Sequence, residues 1–296
     1  GSDETIVVFP GNLAFTNEPY SWSNNYPNGL YTNTIEGLDI RIGSSTEYGI
    51  YMYDEPIHLK DIIIEDEIVA YRTGFNIDGL RSYTSEGFYN ALIQLYKDNN
   101  NEDHTFNFNN LDINANQGHI IYMYNNYQNW RDMDVYVTNS TLRAGSSGSN
   151  DVFQAGCCTG DSKEDRIYIE NSFIEGDIEH RGLREFIVNR TVFKNTRFDI
   201  SMNYSDYSTN FEMENCVVEN GYYYTDSDGL VKNTIFYPNI EYEFYSGTES
   251  ELEFQYSANI PDDAPDIGVY NITVDPSFVD VENEDYSLMP ASLCID

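Results

Sequence analysis

The sequence predicts an all-β fold, a single-stranded right-handed parallel β-helix of about nine or ten coils with an N-terminal cap. Three observations predict it. A phrase of the form Asn–small–x–aliphatic recurs along the chain, each copy follows a run of alternating apolar residues, and the copies are about 20–30 residues apart, the period of a solenoid. The clearest copies are Asn110-Leu111-Asp112-Ile113, Asn139-Ser140-Thr141-Leu142, Asn171-Ser172-Phe173-Ile174, Asn215-Cys216-Val217-Val218 and Asn233-Thr234-Ile235-Phe236. Looser copies begin at Gly37, Asp61, Gly79 and Arg190, and the steps between the nine anchors are 24, 18, 31, 29, 32, 19, 25 and 18 residues. A unit this short cannot bury its own apolar face, so successive units stack. Parallel crossovers take the right hand.

The elements follow in order. Residues 1–34 are rich in Asn, Pro and Tyr, lack the phrase, and are assigned to a cap that covers the open end against edge pairing. Residues 35–260 carry the coils. In the unit at 165–182, Arg166-Ile167-Tyr168-Ile169 alternates as a strand, Asn171 turns the chain, Phe173-Ile174 begins a second short strand, Gly176 turns again, and Asp177-Ile178-Glu179 begins a third. The third strands align as 49–53, 91–96, 119–124, 151–155, 177–181, 197–201, 222–226 and 240–245. Segment 85–100 also has a helical face, but its similarity to Gly49-Ile50-Tyr51-Met52-Tyr53 assigns it to a strand. Variable loops follow Tyr124 and Gln154. The Asn anchors are expected to stack inside, each amide paired with its neighbour one coil away. Residues 261–296 close the helix.

The chain has 296 residues, with 15 Lys and Arg against 50 Asp and Glu, a formal charge of −35. Such a surface repels nucleic acid and anionic membranes. No run of about 18 apolar residues exists, so no membrane span is expected. Gly1-Ser2 reads as an expression scar, which leaves room for a removed export signal or lipid-anchor Cys. Cys157, Cys158, Cys216 and Cys294 form neither a disulfide framework nor a CxxC metal pattern; Cys216, at a small position of the phrase, reads as core.

The C-terminal run Asp275-Pro276-Ser277-Phe278-Val279-Asp280, Glu284-Asp285-Tyr286-Ser287-Leu288 and Ser292-Leu293-Cys294-Ile295-Asp296 resembles the closing motif of secreted pectate-lyase-like β-helix proteins, including surface lipoproteins linked to polysaccharide use. It covers 22 residues, and Glu284 stands where the family has Gly. The resemblance implies a right-handed β-helix, export to the cell surface and a carbohydrate partner, without implying catalysis. The Lys/Arg pair of the alginate-lyase branch is absent, its nearest approach being Lys194 and Arg197.

Alternation along the third strands sends Ile50, Met52, Ile121, Met123, Ile178, Tyr242 and Phe244 inward. It sends Tyr51, Tyr53, Gln94, Tyr96, Tyr122 and Tyr124 outward in the N-terminal half, and Glu179, Asp199, Glu241 and Glu243 outward in the C-terminal half. Flat Tyr faces suit sugar rings, so Tyr51, Tyr53, Tyr96, Tyr122 and Tyr124 are the candidate glycan-binding residues. Glu179 and Asp199, on adjacent coils, are candidates for acid–base work or calcium; the alternative is a solvated acidic face. His180 is expected to point inward; if it faced out, it would complete a His180–Arg181–Glu179 lyase cluster. Asp226 and Asp228 read as a calcium-loop fragment. No motif requires a cofactor, and calcium is the one ion considered. The function expected is an exported, extracellular or cell-surface protein that binds polysaccharide without strong catalysis. The alternatives are a polysaccharide lyase or glycoside hydrolase on the same fold, and a structural adhesin or fibre module.

Overall fold

The computed structural model describes residues 6–7, 13–16, 33–40, 50–53, 57–65, 67–71, 73–84, 91–97, 104–115, 118–125, 133–145, 151–156, 165–181, 183–201, 209–225, 228–238, 241–244, 252–260 and 269–294. Two long parallel sheets, one of seventeen strands and one of ten, share a single apolar interior, as a parallel β-helix requires. A typical coil crosses the wide sheet in two segments with the anchor's bend between them, and then crosses the narrow sheet once. Pairing runs one coil to the next, as in Val135↔Ile167↔Phe186↔Phe211. Ten narrow-sheet strands match the expected coil count. They include Leu13–Thr16, inside the segment assigned to a cap, which pairs in parallel with Ile50–Tyr53 and so continues the helix. They also include Ile68–Tyr71, absent from the sequence alignment of third strands, which pairs with Ile50–Tyr53 on one side and Ala91–Lys97 on the other. The ambiguous segment near 85–100 supplies the strand Ala91–Lys97.

All nine anchors adopt positive φ, from 48° at Asp61 and Asn233 to 83° at Gly79. This left-handed conformation is what Asn, Asp and Gly tolerate, and it explains the phrase better than an internal amide ladder does. The amides do not stack inside as expected: Asn110, Asn139, Asn171, Asn215 and Asn233 are exposed. They still form rows, with Asn171 Nδ2 donating to Asn139 Oδ1 (3.4 Å) and Asn233 Nδ2 to Asn215 Oδ1 (3.3 Å). Arg190 keeps the left-handed backbone (φ 50°) and pairs with exposed Glu170.

The buried ladder lies one residue later, at the small position. Ser140, Ser172, Thr191, Cys216, Thr234 and Ser257 are all buried. Each hydroxyl donates back to the carbonyl two residues earlier, as Ser172 does to Glu170 O at 2.8 Å. The same oxygens accept the amide of the preceding coil: Leu111 N–H donates to Ser140 Oγ (3.1 Å), Ser140 N–H to Ser172 Oγ (3.2 Å), and Ser172 N–H to Thr191 Oγ1 (3.4 Å). An interior sharp turn would otherwise strand those amides.

The core mixes aliphatic layers with aromatic clusters. Ile57, Leu59, Ile62 and Ile64 fill one early coil, Phe75, Phe106 and Phe108 cluster in the next two, and Phe186, Phe193, Phe198 and Phe211 cluster later, with Phe193 and Phe198 edge to face at 5.0 Å. Ile50, Met52, Ile121, Met123 and Ile178 are buried as the alternation predicts; the side chains of Tyr242 and Phe244 lie outside what the structure describes. Cys216 is core, and burial pushes its thiol up to about 12. Cys157 and Cys158 lie outside the described residues.

The closing segment does not stack as another coil. Phe278–Asp280 and Asp285–Leu288 form an antiparallel pair that lies against the side of the helix. There, one register row of the wide sheet reads Arg143, Glu175, Lys194, Glu219, Tyr237 across five coils. Glu284 meets Arg143 at 2.6 Å and Lys194 at 3.2 Å, Tyr286 donates to Glu219, and Phe278 packs edge-on between Tyr237 and Tyr286. Glu284 has φ 62°, which accounts for the Gly of the similar motif. Here the strained backbone is offset by two cations, and Arg143 chief among them holds the Glu284 carboxyl below its ordinary range.

Candidate functional site

The outer face of the narrow sheet carries two polar columns on either side of an inward apolar one. The first runs His119, Asp151, Asp177, with Arg197 on the next coil donating its amide to Asp177 Oδ1 at 3.1 Å. The second runs Gln94, Tyr122, Gln154, Glu179, Asp199. The buried residues between them include Ile93, Ile121, Phe153, Ile178 and Phe198. A tight turn launches two of these strands. Gly118 (φ 84°) precedes His119, and Gly176 (φ 121°) precedes Asp177; a Cβ on Gly176 would lie 2.8 Å from Ala144 Cβ. A register shift between Asp151 and Phe153 tucks Val152 into the core. This bulge keeps Asp151 in line with Asp177 although the two strands differ by one residue.

His119, Asp151, Gln154, Asp177, Glu179, Arg197 and Asp199 converge on a cleft of about 250 Å³. His119 Nδ1 lies 2.9 Å from Asp151 Oδ2 and 3.2 Å from the Asp151 amide. The nitrogen donates to the carboxylate when protonated and accepts from the amide when not, so the ring is held in either state. Arg197 Nη2 donates to Asp199 Oδ2 at 2.9 Å. Asp151 and Asp199 are buried. Burial raises the Asp177 carboxyl above its ordinary value; Asp151 and Asp199 add to the rise, and the Arg197 amide opposes it. The cleft therefore brings together a carboxyl that tends to keep its proton, carboxylates, an imidazole and a guanidinium, which is equipment for proton transfer.

Of the residues predicted from sequence, Glu179 and Asp199 stand directly opposite each other and line this cleft. His180 is buried and in register with Ile200, so alternation takes it away from Glu179 and the His180–Arg181–Glu179 cluster does not form. The side chain of Arg181 lies outside what the structure describes. Lys194 and Arg197 part company, Lys194 reaching from the wide sheet to Glu284 of the closing segment. Asp228 lies in Asp228–Lys232 of the wide sheet, far in topology from Glu179, and Asp226 lies outside the described residues. Among the described residues, no three His, Cys, Asp or Glu side chains are arranged as metal ligands.

The tyrosines form a continuous row only in part. Tyr53, Tyr71, Tyr96 and Tyr124 occupy one register column, with Tyr71 to Tyr96 at 6.0 Å and Tyr96 to Tyr124 at 5.3 Å between ring centres. The side chain of Tyr53 lies outside what the structure describes. Tyr122 stacks on Tyr124 at 6.3 Å and is 6.5 Å from His119, which joins the aromatic row to the cleft. Tyr51 is separated from Tyr122 by Val69 and Gln94, so it does not belong to this row. Gln94, expected to face solvent, is buried; it donates to Glu67 Oε2 (2.5 Å) and accepts from the Tyr96 hydroxyl (2.8 Å), which fixes the Tyr96 ring.

His119, Asp151, Asp177, Gln154 and Tyr71 were not legible as site residues. The signal was present for three of them, because His119, Asp151 and Asp177 each open an aligned third strand and form one column when those strands are stacked. No protein-family model, curated protein or solved structure matches this chain.

Proposed function

We propose that this protein is a polysaccharide-active β-helix that hydrolyses a glycosidic bond in the narrow-sheet cleft. The observation that carries the proposal is the joining of the Tyr71–Tyr96–Tyr124 row to a polar cleft in which one carboxyl is raised and its neighbours are paired with a cation or an imidazole. A glycan chain lying across the strands stacks on the tyrosines and presents a linkage to the cleft. Asp177 gives its proton to the departing glycosidic oxygen. Asp199, beside Arg197, takes a proton from the attacking water, so that one water is consumed and both ends leave as hydroxyls. Asp177 and Asp199 lie on adjacent strands two residues out of step, a backbone separation of about 8 Å from the spacing and rise of a sheet. Carboxyl pairs that invert the anomeric centre stand ~6.5–9.5 Å apart, and a backbone offset of this size leaves room for that spacing. The resemblance of the closing motif at 275–296 supports a setting outside the cell or on its surface, where polysaccharide is met.

Asp177→Asn tests the proposal on a glycan panel. Release of new reducing ends should fall about 10²-fold or more, while affinity for the same glycan holds, and the first product seen by NMR should be of inverted configuration. A binding module without turnover is the second reading, favoured by the tyrosine row alone. It takes over if the parent protein binds glycan, releases no reducing ends and is unaffected by Asp177→Asn.

A further inference from the structure

The charge balance of the cleft restricts the sugar it takes, given that the cleft is the glycan site proposed above. Among the described residues its lining holds three carboxylates, Asp151, Glu179 and Asp199, and the proton-donating carboxyl of Asp177, against one guanidinium, Arg197. That guanidinium is already engaged by Asp199 at 2.9 Å. A site that grips uronate or sulfate needs cations aimed at the ligand. The described cations nearest in sequence are committed elsewhere, Arg184 standing 3.9 Å from Glu185 on the wide sheet. Arg143 and Lys194 hold Glu284, Arg166 holds Asp134, and Arg190 holds Glu170, all from strands or turns of the wide sheet. Asp151 and Asp199 are buried, so their charges are poorly screened by water, and an anionic ring between them meets like charge at close range. A sugar bearing hydroxyls suits Gln154 and the carboxylate acceptors, and one bearing an ammonium gains from them.

We propose that the sugar unit seated between Asp151 and Asp199 carries no carboxylate or sulfate, and is a neutral or amino sugar. The chain's formal charge of −35 points the same way at long range, since a polyanionic glycan is repelled before contact.

The test is binding and reducing-end release with three sets of oligosaccharides of matched length: a neutral β-glucan, chitosan and polygalacturonate. In low salt, polygalacturonate should bind at least about tenfold more weakly than the better of the other two. The difference should shrink near 1 M salt, where the Debye length is about 3 Å. A chitosan preference that fades with salt identifies the amino sugar; one indifferent to salt on the glucan identifies the neutral sugar. Glu179→Gln with Asp199→Asn, checked for an unchanged melting profile, should narrow the discrimination against polygalacturonate. Tight polygalacturonate binding that competes with the glucan and weakens in Tyr96→Ala would overturn the charge rule and leave the cleft as the glycan site. If no set binds, both the charge rule and the site fall.

Discussion

Ser172→Ala probes the buried ladder at its best-defined rung. Ser172 Oγ accepts the Ser140 amide at 3.2 Å and donates to Glu170 O at 2.8 Å, and the residue is buried. Alanine removes one methyl-sized polar atom and leaves almost no cavity. The expected cost is that of an interior N–H and C=O losing their shared partner, about 1–3 kcal/mol. At roughly 2 °C per kcal/mol for a chain of this size, the melting temperature should fall by about 2–6 °C. Ser172→Thr should cost under about 0.5 kcal/mol, because Thr191 and Thr234 occupy the same position with the same bonds. Hydrogen exchange adds the local assay: the Ser140 amide should lose protection in Ser172→Ala and keep it in Ser172→Thr. Coils can open separately in a solenoid, so the local measurement is more telling than the global melt. If Ser172→Ala leaves both the melt and the Ser140 amide unchanged, the hydroxyl ladder is incidental, and the small position is selected for size alone.

Three further outcomes are expected. Arg190→Asn should stabilise the protein by about 0.5–1 kcal/mol in chemical denaturation, since it eases a left-handed residue at the expense of an exposed ion pair worth little. A loss of stability would mean that the Glu170 contact matters more than the backbone. Glu284 has a depressed carboxyl, so its contribution is present above the unfolded glutamate value and disappears as pH falls through the folded one. Protection of the 278–288 hairpin in hydrogen exchange should therefore drop on acidification in the parent, and be low and flat with pH in Glu284→Gln. Tyr96→Ala should weaken glycan binding by about 0.5–1.5 kcal/mol without unfolding the helix, because Leu95 and Ile93 carry the core there; Tyr51→Ala should do much less, and equal effects would refute the row.

The fold was legible because a solenoid writes the same local demand many times. The nine anchors were recognised by spacing, and every one is left-handed. Their chemistry was harder to read. Asn satisfies both an αL backbone and a buried amide ladder on paper, and only the structure shows the amides outside and Ser140, Ser172 and Thr191 within. The strand Ile68–Tyr71 was missed because Ile68, Val69 and Ala70 are all buried, so its outer face shows no polar alternation. That concealed Tyr71. Glu179 and Asp199 were found because both stand at mid-strand, where alternation is clear. His119, Asp151 and Asp177 stand at the strand entrance, where the turn sets orientation and the bulge at Val152 shifts the count.

A stack of coils touching only their neighbours resembles a pile of coins: a crack between any two rungs exposes one interface and nothing more. The closing hairpin changes that mechanics. By fastening Glu284 to Arg143 and Lys194, Tyr286 to Glu219, and Phe278 to Tyr237, it laces together five rungs that the chain visits 141 to 41 residues earlier. A fracture within that stretch must also tear the lacing, so the later coils should open as one block. The cleft residues Asp151, Asp177 and Arg197 sit on three of those laced rungs. The proton transfer proposed for the cleft requires fixed distances between neighbouring rungs, and the closing hairpin, on the opposite sheet from the cleft, is placed as a splint that would preserve them.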